Sequence, residues 1–231
     1  MSNQLPEGVE CNFPLARLTT IRTGGPAQYF ARVGDQAGLV ELLSWASSGS
    51  LEVAVVGSGS NLLVADQGVT GLVLKLDDQL AEIDQDGDQL LCGGGARLPA
   101  VAAFAARVGL SGLEFGVNIP GTVGGAVKMN ANAYGGQLAE VLEVVELATG
   151  SGVEERTPEQ LGFSYRHSNL GPEEIVANAR FKLQPTESAE VKERLAKMRN
   201  WRKEAQPSGI KTFGSTFKNP TDEKATGKTA G

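Results

Sequence analysis

The chain passes from a β-branched run through a tight loop into a second apolar run at Val55-Val56-Gly57-Ser58-Gly59-Ser60-Asn61-Leu62-Leu63-Val64. Glycines on either side of a serine let the main chain bend sharply and turn successive N–H groups toward one point, as an oxyanion such as a phosphate requires. The loop departs from the dinucleotide fingerprint of doubly wound folds. Leu62 stands where that fingerprint has its third glycine, and Leu62 to Ala65 reads as a strand where a helix would follow. Nucleotide binding through this loop therefore needs a different fold, and a plain glycine–serine hairpin between strands is the competing reading.

Bulk properties narrow the classes. With 231 residues, the chain can build one large or two modest cores. Its 41% apolar and 21% charged residues are those of an ordinary globular protein, and the net charge of −6 argues against a nucleic-acid surface. Met1 to Glu10 lacks the basic start and apolar core of a leader, and no segment is apolar for long enough to span a bilayer. A cytoplasmic protein with no membrane contact is expected. Cys11 and Cys92 sit in unrelated contexts and suggest inert thiols, and the single histidine, His167, cannot build a histidine-rich metal site. No metal is expected, and His167, beside Arg166, reads as solvated or structural.

Periodicity predicts an α+β chain. Leu39, Leu42, Leu43 and Ala46 fall at helical spacing between an Asp35 N-cap and Gly49. Glu52 to Val56, Leu62 to Ala65 and Gly71 to Leu76 read as short strands. Leu80 to Ile83 and Gln89 to Cys92 form a hairpin across Asp86-Gly87, followed by a helix over Leu98 to Val108 that has Pro99 in its first turn and Gly109 at its end. Leu142 to Ala148 and Ile175 to Leu183 are further strands. Beyond a linker at Gln184 to Ser188, a last helix runs from Ser188 to Ala205, with Val191, Leu195, Met198, Trp201 and Ala205 on one face. Strands and helices do not alternate regularly, which disfavours a doubly wound sheet.

The richest segment is Gly116 to Gly136. Pro120-Gly121 sets a turn, Gly124-Gly125 clears side chains where a flat ring or a phosphate could approach the backbone, and Asn130, Asn132 and Tyr134 follow. A loop that merely connects elements rarely combines so many small residues with these polar ones.

Five motifs together resemble one family. Thr19-Thr20-Ile21-Arg22-Thr23-Gly24-Gly25, the Gly57 to Val64 loop, the Ile119 to Gly135 block, Phe163-Ser164-Tyr165-Arg166-His167-Ser168 and Gly214-Ser215-Thr216-Phe217-Lys218-Asn219-Pro220 occur in the order found in UDP-N-acetylenolpyruvoylglucosamine reductases. The resemblance implies an FAD-binding α+β fold of the vanillyl-alcohol oxidase type. Residues 1–78 and 79–186 would be its two subdomains, and 187–231 would begin an α+β substrate-binding domain. It implies FAD as cofactor, NADPH as co-substrate, a sugar nucleotide as substrate, and no obligate protein partner.

The family's roles map residue by residue. Gly57, Ser58, Gly59, Ser60, Asn61 and Leu62 would take the FAD diphosphate, and Ile119, Pro120, Gly121, Thr122, Gly124, Gly125 and Ala126 would line the flavin and adenine side. Arg166 matches the arginine at the substrate carboxylate, and Ser215 matches the serine that protonates the substrate carbanion. Tyr165, Lys218 and Asn219 resemble substrate contacts. Two departures stand out. The family's C-terminal glutamate has no counterpart before Gly231, so a truncated form that holds flavin but turns over poorly is expected; Asn132 replaces a usual glycine at a turn expected to survive because asparagine tolerates left-handed backbone. A flavin oxidase of the same fold and a non-catalytic nucleotide-binding module are the alternatives.

Overall fold

A computed structural model describes residues 5–205, including the backbone but not the side chain of Ala205. The elements are β1 (Val9–Pro14), β2 (Pro26–Val33), α1 (Gln36–Ser48), β3 (Val53–Val55), β4 (Val69–Leu76), β5 (Ile83–Asp86), β6 (Gln89–Gly93), α2 (Leu98–Val108), α3 (Val123–Lys128), β7 (Leu142–Thr149), β8 (Gly152–Arg156), β9 (Ile175–Lys182) and α4 (Ser188–Ala205). The four-stranded first sheet has the order β1-β2-β4-β3, and the five-stranded second sheet has the order β8-β7-β9-β6-β5.

In the first sheet β4 runs parallel to both β2 and β3, with α1 as the crossover, while β1 pairs antiparallel with β2. Asp35 caps α1 as expected: its Oδ1 accepts from the Gly38 N–H at 2.8 Å, and Leu39, Leu42, Leu43 and Ala46 are buried. Alternation along β4 sends Leu72, Leu74 and Leu76 toward α1 and Val73 to the opposite face, where it joins Phe13, Leu15, Phe30 and Val56.

The second sheet is antiparallel throughout. One face is covered by α2 and α3, with Leu90, Leu98, Val101, Val123, Val127, Leu147 and Phe181 buried between them. The α1 cluster also takes in Ala148, Ile175 and Ala177 of the second sheet, so the two sheets share a core. Glu146 ties them at the rim, accepting from Gln36 Nε2 at 3.2 Å and Asn178 Nδ2 at 2.8 Å.

Several sequence expectations need correction. Leu62 to Ala65 is not a strand: Leu62 and Val64 pack against the Phe13–Phe30 cluster, but the backbone around them bonds to the preceding motif, with the Gly25 N–H donating to the Ala65 carbonyl at 2.9 Å. The hairpin strand begins at Ile83, and Leu80 lies in a 3-10 turn over Asp78–Ala81. The strands β1, β2 and β8 are additions to the expected elements. On α4, Val191 and Leu195 are buried, but Trp201 is 59% exposed and meets the Tyr134 ring edge-on at 5.3 Å.

Among the described residues no helix is long and apolar enough to cross a membrane. Cys92 is buried and Cys11 exposed, and neither is in a disulfide; burial pushes the Cys92 thiol up to about 12, which leaves it protonated and inert.

Candidate functional site

The first loop leaves the carboxyl end of β3. At Gly59 the backbone is left-handed, with φ at +63°, and a Cβ would overlap the Leu18 carbonyl oxygen. That close approach gives the Thr19–Gly25 motif its purpose. The Thr20 N–H and Oγ1 both donate to the Gly59 carbonyl, at 3.1 and 3.2 Å, and buried Thr19 closes its own turn by donating to the Thr23 carbonyl at 3.0 Å. The motif is a buttress that holds the loop from behind.

The second loop, Ile119 to Thr122, is stitched to the Gly93–Arg97 turn. The Leu98 N–H donates to the Gly121 carbonyl at 3.0 Å, Val123 N–H to Ala96 at 2.9 Å, and Gly124 N–H to Gly94 at 2.8 Å. The two glycines of the pair differ in role. A Cβ on Gly124 would press on the Gly94 carbonyl at 3.1 Å, so that position serves packing; one on Gly125 would meet nothing nearer than Thr122 Oγ1 at 3.7 Å. Gly121 likewise faces open space.

The structure brings the two loops together although about sixty residues separate them. Ser60 Oγ donates to the Pro120 carbonyl, and a Cβ on Gly57 would lie 2.5 Å from Thr122 Oγ1. The result is a cradle walled by backbone, with bare Gly121 and Gly125 on its open side.

Arg166 lies on a separate turn. Ser164 and His167 exchange both backbone hydrogen bonds, at 3.1 and 3.2 Å, leaving Tyr165 and Arg166 at the tip. Arg166 has φ of +56°, a position where glycine or asparagine is the usual occupant, and its guanidinium lies 5.7 Å from the Tyr165 ring centroid. His167 is exposed and serves the turn through its backbone. Buried Asn130 joins this turn to the glycine-rich block: its Nδ2 donates to the Ser164 carbonyl at 3.2 Å and its Oδ1 accepts from Ala139 N–H at 3.2 Å. Asn132 is in a two-residue strand and does not use the left-handed region; Asn130, Tyr134 and Gly135 do, with φ of 38°, 53° and 85°. Ser215, Lys218 and Asn219 lie outside the described residues.

The sequence reading missed Asn118 and Lys75. Asn118 Nδ2 donates to Tyr134 Oη at 2.6 Å and to the Met198 carbonyl at 2.9 Å, fixing α4 against the glycine-rich block. Lys75 interrupts the apolar run of β4, and that interruption was its available signal.

Comparison with known proteins decides the family. The chain is 44% identical over 214 residues to UDP-N-acetylenolpyruvoylglucosamine reductase 2 of Symbiobacterium thermophilum, an alignment covering 92% of this chain and 70% of that one. The chain belongs to the UDP-N-acetylenolpyruvoylglucosamine reductase family. The crystal structure of the reductase of this family from Thermus caldophilus superposes with a TM-score of 0.81 at 40% identity, over 92% of this chain and 75% of that one. Residues 27–157 of this chain match the FAD binding domain family and span both loops of the cradle. The same fold occurs in 6-hydroxy-D-nicotine oxidase from Arthrobacter nicotinovorans, with a TM-score of 0.61 at 18% identity, over 80% of this chain and 44% of that one.

The residues present fit the FAD of such reductases. A dinucleotide needs main chain stripped of side chains where its diphosphate and ring system approach. The cradle offers that at Gly121 and Gly125 and holds its first loop rigidly at Gly59.

Proposed function

We propose that the protein reduces the enolpyruvyl group of UDP-N-acetylenolpyruvoylglucosamine to the lactyl ether of UDP-N-acetylmuramate, with NADPH as electron source and FAD as carrier. The observation that carries this reading is the meeting of the two glycine loops in a chain of the reductase family. Gly57, Ser58, Gly59, Ser60, Asn61 and Leu62 would hold the diphosphate, and Ile119 to Thr122 with Gly124, Gly125 and Ala126 would flank the ring systems. When bound, FAD supplies a two-electron carrier between NADPH and the alkene.

Hydride addition at the terminal alkene carbon builds negative charge on the adjacent carbon and its carboxylate. A preplaced guanidinium meets such charge without reorganisation, and Arg166 is assigned that role. Its left-handed backbone is in keeping with the assignment: an arginine there carries about 1 kcal/mol of strain that glycine or asparagine would avoid. Ser215 is the proposed donor of the proton that completes the product, and Tyr165, Lys218 and Asn219 are proposed to hold the substrate.

Arg166→Asn tests the proposal, because asparagine accepts the same backbone. Purified protein loaded with FAD and freed of excess cofactor by gel filtration should keep the visible flavin band, and NADPH should bleach it equally in the wild type and the variant. Reoxidation by the sugar nucleotide should be slower in the variant by roughly a hundredfold or more, with no fall in thermal stability. Reoxidation at the same rate in both removes Arg166 from the chemistry, and a wild-type chain that retains no flavin band after gel filtration ends the proposal.

A further inference from the structure

Lys75 stands on β4 between Leu74 and Leu76, and its register partner across the parallel ladder is Arg32 of β2. Both side chains therefore rise from one face of the sheet, the face carrying Phe30 and Val73, near the carboxyl ends of their strands. Ligands of parallel strands gather at that end. Lys75 Nζ donates to the carbonyl of Gly57, the first residue of the cradle, at 3.1 Å. A third cation stands beside the other loop: Arg97, at the end of the Gly93–Arg97 turn and bridged through its backbone to Thr122, is near enough to repel Lys75. Among the described residues the Arg97 guanidinium has no hydrogen-bond or ion-pair partner.

The nearby countercharge is Asp77, which is already paired with Arg32 at 3.0 Å. Burial, then Arg32, and finally Arg97 hold the Lys75 ammonium below the usual lysine range, with Asp77 opposing them in part. Three cations against one carboxylate leave two positive charges uncompensated where the two loops meet. A diphosphate carries two negative charges.

We infer that Lys75 and Arg97 are the countercharges of the bound dinucleotide's diphosphate, and that Lys75 is also a positioning residue that fixes the Gly57 carbonyl at the entrance to the cradle. The inference rests on the FAD reading above and assigns the affinity of the cradle to two side chains on top of the backbone. Backbone amides alone bind any anion of the right shape; these charges select for one with two.

FAD titration followed by quenching of flavin fluorescence tests this on the full chain. Lys75→Met should weaken FAD binding at least tenfold and Arg97→Gln several-fold, while Lys75→Arg recovers most of the loss. Added salt should weaken the wild type more steeply than the Lys75→Met, Arg97→Gln double variant, because exposed charge attraction is screened. Far-UV circular dichroism reports whether each variant folds; if Lys75→Met does not, exposed Arg97→Gln decides. FAD binding within twofold of wild type in the folded variants overturns the inference while leaving the FAD reading intact. So does a loss that is the same at low and high salt, which would assign the effect to packing. A wild-type chain that binds no FAD fails at the earlier reading instead.

Discussion

At the scale of single residues, the glycines of the cradle separate into those the fold needs and those only a ligand needs. Gly59 cannot carry a side chain without displacing Leu18, so Gly59→Ala should cost at least about 1–3 kcal/mol in urea unfolding. Gly125 lies in α3 with free space around it, so Gly125→Ala should leave the fold as stable or raise it by up to about 1 kcal/mol. Its methyl group would intrude on the ligand, at about 1–3 kcal/mol for overpacking, or roughly ten- to a hundredfold in FAD affinity. Calorimetric FAD titration beside urea unfolding checks the pair. A Gly125→Ala chain with unchanged FAD affinity would move the ligand away from this face. Sequence could flag both glycines, because both stand in short runs of small residues. It could not rank them, because what each Cβ would meet is set by Leu18 in one case and by open space in the other.

Elements were legible where their signal was local. The Asp35 cap, the apolar face of α1 and the left-handed Gly109 that ends α2 depend on neighbours within one or two turns. Leu62 to Ala65 misled because Leu62 and Val64 pack inward while Leu63 is exposed, an alternation shared with strands, whereas its backbone partner is Gly25, about forty residues earlier. Attachment of α4 was hidden for the same reason. Its apolar stripe announces a buried face, but its polar anchors lie far back in the chain: Ser188 Oγ donates to the Ala106 carbonyl at 2.7 Å, Arg202 to the Asn118 carbonyl at 2.8 Å, and Arg194 to Ser111 Oγ and the Glu114 carboxylate at 2.9 and 3.3 Å.

Glu114 makes that attachment pH-dependent. Burial alone would raise its pKa, but donation from Ser111 Oγ, the Gly112 N–H and Arg194 together holds it below the usual carboxylate range. A carboxyl group depressed in the folded state contributes stability above its unfolded pKa of about 4.3 and loses it as pH falls through the lowered folded value. Glu114→Gln should therefore cost about 1–3 kcal/mol at neutral pH. The gap between variant and wild type should close as the solution is acidified through that range. Urea midpoints across the acid range read this directly, and a gap that stays constant would show that Glu114 is not ionised in the fold.

For the whole molecule, the cradle is made from both sheets, so cofactor binding and global stability are linked. Gly57 to Leu62 hang from the first sheet, Ile119 to Ala126 from the elements covering the second, and the loops touch through Ser60 and Pro120. The α1 cluster, with Leu72 and Leu74 from one sheet and Ala148 and Ala177 from the other, leaves neither sheet a core of its own on that side. Removing either sheet would expose the apolar face of the other, so both should melt together. In a Trp201→Phe chain the remaining Trp45, edge-on to Tyr29 at 5.3 Å, reports the first sheet, and far-UV circular dichroism reports the whole. Their thermal transitions should coincide. Because only the assembled pair of loops offers a cradle, FAD at about a hundred times its dissociation constant should stabilise the native state by about 2.7 kcal/mol. For a chain of this size that is a rise of roughly 5–10 °C in Tm, and the two probes should shift by equal amounts. A tryptophan transition that stays in place while the far-UV signal moves would mean that the cofactor is held by the second sheet alone, and that the Gly57 to Leu62 loop contributes nothing to its binding.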